Sequence, residues 1–80
     1  MTIYFYEWSN INGQPMVFTN NEKFIEFCNY CNIKITERTR KFLNDNDTVY
    51  ITCKVGKNEP IMGGDKRNFR KNFSRHINNK

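Results

Sequence analysis

Long apolar runs are missing from this 80-residue sequence, and no stretch comes close to the roughly 20 apolar residues that a membrane-spanning helix needs. The first residues also lack the basic flank and the small-residue cleavage site of a secretory signal. Cysteine is scarce and odd in number, with three residues, which favours reduced thiols over a disulfide framework. We therefore expect a cytoplasmic protein that does not interact with a membrane.

Groups suited to catalysis are also few. The chain has one histidine and scattered acids, with no spacing that joins a nucleophile, a base and an orienting group. Zinc is the metal for which the chain offers ligands, namely Cys28, Cys31, Cys53 and His76. The same four residues fall at positions expected to pack in a core. We predict that the protein is not an enzyme and holds no metal and no cofactor, with zinc as the open alternative.

Aromatic residues are plentiful for so polar a chain, with seven Phe, four Tyr and one Trp. That number of rings can build a compact core despite a low mean hydropathy, which argues against disorder. The length allows one hydrophobic core, so residues 1–80 are expected to form a single domain.

Hydrophobic periodicity predicts the elements of this domain. A period of two in β-forming residues predicts strands at 2–8 and 48–55, and a hairpin turn at Asn12 and Gly13 predicts that the chain returns as a strand at 16–18. A brief extended piece is predicted at 61–62. Helical spacing predicts helices that open at Thr19, at Thr36 and, over residues 66–78, after Asp65. The predicted fold class is α+β: a small three- to four-stranded, mainly antiparallel sheet with helices packed on one face, in the order ββααβ(β)α.

Charge is distributed unevenly along the chain. Residues 1–53 carry five Lys/Arg against six Asp/Glu, a net charge of −1, whereas residues 54–80 carry eight against two, a net charge of +6. A basic surface of this kind favours DNA or RNA, or an acidic protein surface, as the partner. The residues predicted to bind that partner are Lys54, Lys57, Lys66, Arg67, Arg70, Lys71 and Arg75.

The last helix carries most of this charge on one side. Phe69, Phe73 and Ile77 form an apolar stripe, and the cations lie on the roughly opposite side. After Asp65 no carboxylate side chain follows to pair with six cations. A solvated helix usually mixes charges of both signs, so the pattern favours a binding function over the alternative that these residues are only solvated.

Ring-bearing strand residues offer a second kind of contact. Tyr4, Tyr6, Trp8 and Tyr50 are predicted to form aromatic contacts with bases or a protein partner if their strand faces stay open. The alternative is that the helices cover that face.

The predicted function is therefore a small non-enzymatic binding protein that binds nucleic acid through its basic C-terminal helix. A second hypothesis comes from composition: 13 asparagines and no alanine suggest AT-rich coding, as in a low-GC bacterium or its phage. Under this second hypothesis the protein is a phage- or mobile-element-type inhibitor of a host defence machine, of the anti-CRISPR or anti-restriction kind, that binds a host protein or nucleoprotein. A homodimer is compatible with both hypotheses because the core is small.

Overall fold

The computed structural model describes residues 1–54 and 60–78. The strands are β1 (Thr2–Tyr6), β2 (Met16–Phe18), β3 (Thr48–Thr52) and β4 (Ile61–Gly63), and the helices are α1 (Asn21–Tyr30), α2 (Glu37–Asp45) and α3 (Lys66–Asn78). The order ββααββα confirms the predicted sequence of elements, with the brief extended piece forming the fourth strand. None of the described helices combines the length and the apolar character needed to cross a membrane.

The sheet has the strand order β2-β1-β3-β4 and is mixed, which corrects the prediction of a mainly antiparallel sheet. β2 and β4 are antiparallel to their neighbours, but the two central strands, β1 and β3, run parallel. The cause is the long connection through α1 and α2, which carries the chain from β2 past β1 before β3 begins. A crossover of this length allows parallel pairing, which a tight hairpin does not.

One face of the sheet packs against α1 and α2. Phe5 of β1 contacts Phe24 and Phe27 of α1, with ring centroids 6.0 and 5.1 Å apart. Val49 and Leu43 are buried in the same cluster. This face contains the main hydrophobic core.

The opposite face packs against α3, so the prediction that the helices share one face is wrong. Tyr6 follows Phe5 on β1 and therefore points to the other side of the sheet. Its ring stacks on Phe69 of α3 at 5.3 Å, and Trp8 contacts Phe73 at 5.0 Å. Both faces of the central strands carry rings, and apolar surface on both faces of a sheet calls for helices on both sides.

Element boundaries differ from prediction in three places. Asn20, and not Thr19, caps α1, because its side chain accepts hydrogen bonds from the N–H groups of Glu22 and Lys23. β1 ends two residues earlier than expected. β3 ends at Thr52, and Val55 lies outside the described residues.

The caps of the other two helices agree with the sequence. Thr36 caps α2 by accepting a hydrogen bond from the N–H of Thr39 at 3.3 Å. Asp65 accepts one from the N–H of Asn68 at 2.8 Å and so caps α3.

Two contacts hold α3 closely against β4. Gly63 leaves no room for a side chain, since an added Cβ would lie 2.7 Å from the Cα of Phe69 and nearer still to its backbone nitrogen. Asn72 donates a side-chain hydrogen bond to the carbonyl oxygen of Met62 at 2.9 Å. These contacts determine which side of α3 faces solvent.

Candidate nucleic-acid interface

α3 presents a continuous row of cations to solvent. Phe69 and Phe73 are buried, at 0% and 8% exposure, and anchor one side of the helix. Arg67, Lys71 and Arg75 are all exposed and recur every four residues. Because an α-helix rises 1.5 Å per residue, their Cα positions are spaced about 6 Å apart along the helix.

These cations have no carboxylate partner among the residues that the structure describes. The single ion pair found there joins Lys41 to Asp45 within α2, at 3.1 Å and with both side chains exposed. The carboxylate nearest in sequence, Asp65, accepts two hydrogen bonds from Asn68 at the start of α3. The positive charge of α3 is therefore not neutralised within the described part of the protein.

The remaining predicted cations flank this row or lie away from the helix. Lys66 and Arg70 are exposed on α3, and Lys54 is exposed two residues after β3 ends. Lys57 falls outside the described residues.

α3 buries one of the rings predicted to make aromatic contacts and leaves the others partly exposed. Tyr6 is 4% exposed beneath Phe69, so it cannot stack on a base in this arrangement. Trp8 is half-buried against Phe73. Tyr4 and Tyr50 stay half-buried and stack on each other with centroids 4.9 Å apart. Only this pair, among the four predicted rings, combines partial exposure with a position on the sheet beside α3.

Arg70 lies close enough to this ring cluster to act on it electrostatically. Burial raises the pKa of the Tyr6 hydroxyl, and Tyr50 raises it further. The positive charge of Arg70 opposes that rise in the pKa. The charge of Arg70 on α3 therefore reaches Tyr6, whose ring neighbours Tyr50.

The alternative zinc ligands are separated by the sheet. Cys28 and Cys53 belong to the core under α1 and α2, whereas His76 contacts Trp8 on the α3 side, at a ring distance of 5.6 Å. Burial raises the pKa of Cys28 to about 12, as expected for a thiol that packs as a core residue. In the described ranges, no three His, Cys, Asp or Glu side chains are grouped as metal ligands would be.

A cleft that sequence reasoning missed lies at the outer edge of β4, between α2 and α3. We call it the β4 cleft; it has a volume of about 400 Å³. Its lining includes Arg38 from α2 and Arg75 and His76 from α3. The pattern of α2 predicts only that Arg38 points outward, and its proximity to α3 depends on a tertiary contact that local periodicity does not encode.

Comparisons with protein-family models, curated proteins and solved structures found no match for this chain. The candidate interface is therefore assigned on geometry and charge alone.

Proposed function

We propose that this is a small non-enzymatic protein that binds nucleic acid, with the exposed side of α3 against the phosphate backbone. The observation that carries the proposal is the row of cations on a rigidly docked helix, with no carboxylate partner in the described structure. An anionic polymer supplies the missing charge.

The physical driving force is counterion release. Each lysine or arginine that neutralises a phosphate frees condensed cations from the nucleic acid, and the gain falls as salt concentration rises. Contacts of this type position a protein on the backbone and carry little sequence information. We therefore expect binding that is sensitive to salt and largely indifferent to sequence.

The tyrosine pair favours a single strand over a duplex. Tyr4 and Tyr50 are half-buried beside α3, and the charge of Arg70 on this helix acts on the neighbouring hydroxyl of Tyr6. Unpaired bases can stack on aromatic rings and on guanidinium groups, whereas bases in a duplex are already stacked. We expect single-stranded DNA or RNA to bind more tightly than duplex DNA of the same length.

The test is fluorescence anisotropy with labelled single-stranded DNA, single-stranded RNA and duplex DNA at low salt. The variant Arg67→Gln/Arg70→Gln/Lys71→Gln removes three cations from α3. The matched control removes three exposed cations elsewhere, in Lys23→Gln/Lys34→Gln/Arg40→Gln, so both proteins have the same net charge.

Loss of at least about tenfold in affinity in the α3 variant, with a much smaller loss in the control, supports the proposal. Equal losses in the two variants would mean that net charge alone, and not α3, attracts the polymer. Absence of binding by the folded wild type at low salt would exclude nucleic acid as the partner.

A second candidate function is the phage-type inhibitor of a host defence machine. The observation that favours it is the outer strand β2, where Met16 and Val17 are 48% and 56% exposed. An edge strand with exposed apolar side chains is a common site of protein contact. A tight stoichiometric complex with a host protein or nucleoprotein, lost in Val17→Lys, together with indifference to free nucleic acid, would favour this function.

A further inference from the structure

The β4 cleft receives positive charge from two different helices. Arg38 lines it from α2, and Arg75 and His76 line it from α3. No carboxylate occurs in the described lining, and neither arginine takes part in an ion pair of the described residues. Guanidinium groups that line one cleft repel each other in the free protein, and an anion bound between them replaces that repulsion with attraction.

Neutral hydrogen-bonding groups line the same cleft. The side chain of Asn72, which also lines the cleft, donates to the carbonyl oxygen of Met62 at 2.9 Å. The hydroxyl of Thr36, the cap of α2, completes the polar lining.

The cleft also has an apolar part. Its lining includes Phe42 of α2, Ile61 of β4 and Pro60, the residue before β4. A volume of about 400 Å³ is in the usual range for sites that hold small organic molecules. A ligand of this site therefore combines an anionic group with a flat or apolar body.

Among anions, phosphate matches the arginines best. A guanidinium binds oxyanions through paired N–H donors, and a phosphate has enough oxygen atoms to accept from two guanidinium groups approaching from different sides. A carboxylate has only two oxygens to share between them.

We propose that the β4 cleft binds the phosphate group of a nucleotide, held by Arg38 and Arg75, with the sugar or base against Phe42. Arg75 also ends the row that begins at Arg67 on the outer side of α3, so a strand that follows this row reaches the cleft. The inference rests on the proposed function where it takes a bound strand as the source of the nucleotide. The preference for phosphate depends only on the residues that line the cleft.

Trp8 provides a reporter for the cleft. It is the single tryptophan of the chain, and its ring contacts His76, which lines the cleft. The indole N–H signal of Trp8 in a proton–nitrogen NMR spectrum can therefore be followed while adenosine 5′-monophosphate, adenosine or inorganic phosphate is added.

The expected result is a saturable shift of the Trp8 signal with adenosine 5′-monophosphate, a weaker one with inorganic phosphate and none with adenosine. Arg38→Gln should weaken binding of the nucleotide about tenfold or more, because it removes a charged pair of donors. Arg40→Gln, an exposed change on the same helix outside the lining, should leave it within about twofold. Arg75→Lys, which keeps the charge but loses the paired donors, should give an intermediate loss.

A short single strand identifies the source of the phosphate. Displacement of adenosine 5′-monophosphate by an unlabelled 12-nucleotide strand supports a strand phosphate in the cleft, and failure of a bound strand to displace it overturns that assignment. Equal binding of adenosine and its monophosphate, equal effects of Arg38→Gln and Arg40→Gln, or equally tight binding of an acidic peptide would overturn the phosphate site itself.

The two proposals fail in different ways. Arg67→Gln/Arg70→Gln/Lys71→Gln should weaken binding of long strands and leave mononucleotide binding within about twofold. A wild type that binds the mononucleotide but no strand contradicts the proposed function alone. A wild type that binds strands, with an Arg38→Gln variant that binds mononucleotide normally, contradicts the cleft alone.

Discussion

Gly63 determines how closely α3 can approach the sheet. An added Cβ would collide with the backbone of Phe69, which cannot move without displacing the helix. We predict that Gly63→Ala lowers the free energy of unfolding by at least about 2 kcal/mol, measured by urea denaturation. Gly64→Ala is the matched control, because its nearest neighbour is a side-chain oxygen of Asn46 at 3.4 Å, an ordinary contact.

The control should lie within about 0.5 kcal/mol of the wild type. Similar unfolding curves for the two variants would contradict the close docking of α3. The neighbouring glycines are indistinguishable in the sequence, and only the packing of α3 separates them.

We expect the buried thiol of Cys28 to make the folded protein less stable at alkaline pH. Burial raises the pKa of its thiol in the folded protein to about 12 from an unperturbed value of 9.0. The unfolded chain therefore loses this proton first as pH rises, and unfolding becomes more favourable above pH 9. The contribution of Cys28 is fully present below pH 9 and is lost as pH rises from 9 to about 12.

Urea midpoints at pH 7.5, 9, 10 and 10.5 measure this dependence. Burial also raises the pKa of Cys53 and Tyr6, so part of the decline has other origins. The Cys28→Val variant should decline less steeply than the wild type. Parallel declines in the two proteins would contradict a buried, protonated Cys28.

At the scale of single elements, the three residues of the apolar stripe on α3 differ in how far they are buried. Phe69, Phe73 and Ile77 are equivalent in the helical pattern, but the first two are buried whereas Ile77 is 43% exposed. We predict that Phe69→Ala lowers the free energy of unfolding by about 3–5 kcal/mol and Ile77→Ala by less than about 1 kcal/mol. Thermal denaturation followed by circular dichroism measures both changes.

The strong dependence on Phe69 follows from its contacts with Tyr6 and Tyr50 on the sheet. Equal losses from the two substitutions would mean that α3 lies differently against the sheet.

The helices and their caps could be predicted largely from the sequence because their signals are local. Thr36 and Asp65 cap helices as predicted, and a short shift at the start of α1 is within ordinary boundary error. The parallel pairing of β1 with β3 could not be predicted in this way, because it depends on contacts between residues more than 40 positions apart.

The side of the sheet on which each helix packs is similarly non-local. Tyr4, Phe5 and Tyr6 are consecutive in β1, so rings lie on both faces of the sheet and both faces need a covering helix. The sequence pattern does not say which helix covers which face. That assignment decides the exposure of Tyr6, which is buried, and of Tyr4, which is half-buried.

At the scale of the whole molecule, the candidate site was predicted in part. The unbalanced cations of α3 could be identified because charge on one helix is a local property. The β4 cleft combines Arg38 and Arg75, which are 37 positions apart in the chain and come together only when α2 and α3 pack at the edge of β4.

The net charge differs in sign between the two parts of the sequence. Residues 1–53 carry a net charge of −1 and residues 54–80 carry +6. Under the proposed function, we expect the basic C-terminal part to orient an approaching polyanion and to increase the rate of association at low salt.

The most direct test of the central claim is the salt dependence of binding to a single-stranded oligonucleotide. The logarithm of the association constant, plotted against the logarithm of KCl concentration, should fall with a slope of about −3 for four to five phosphate contacts. In Arg67→Gln/Arg70→Gln/Lys71→Gln the slope should become shallower by about 2, at roughly 0.7 per lost contact. A slope near zero, or a slope unchanged by removal of the α3 cations, would contradict the account.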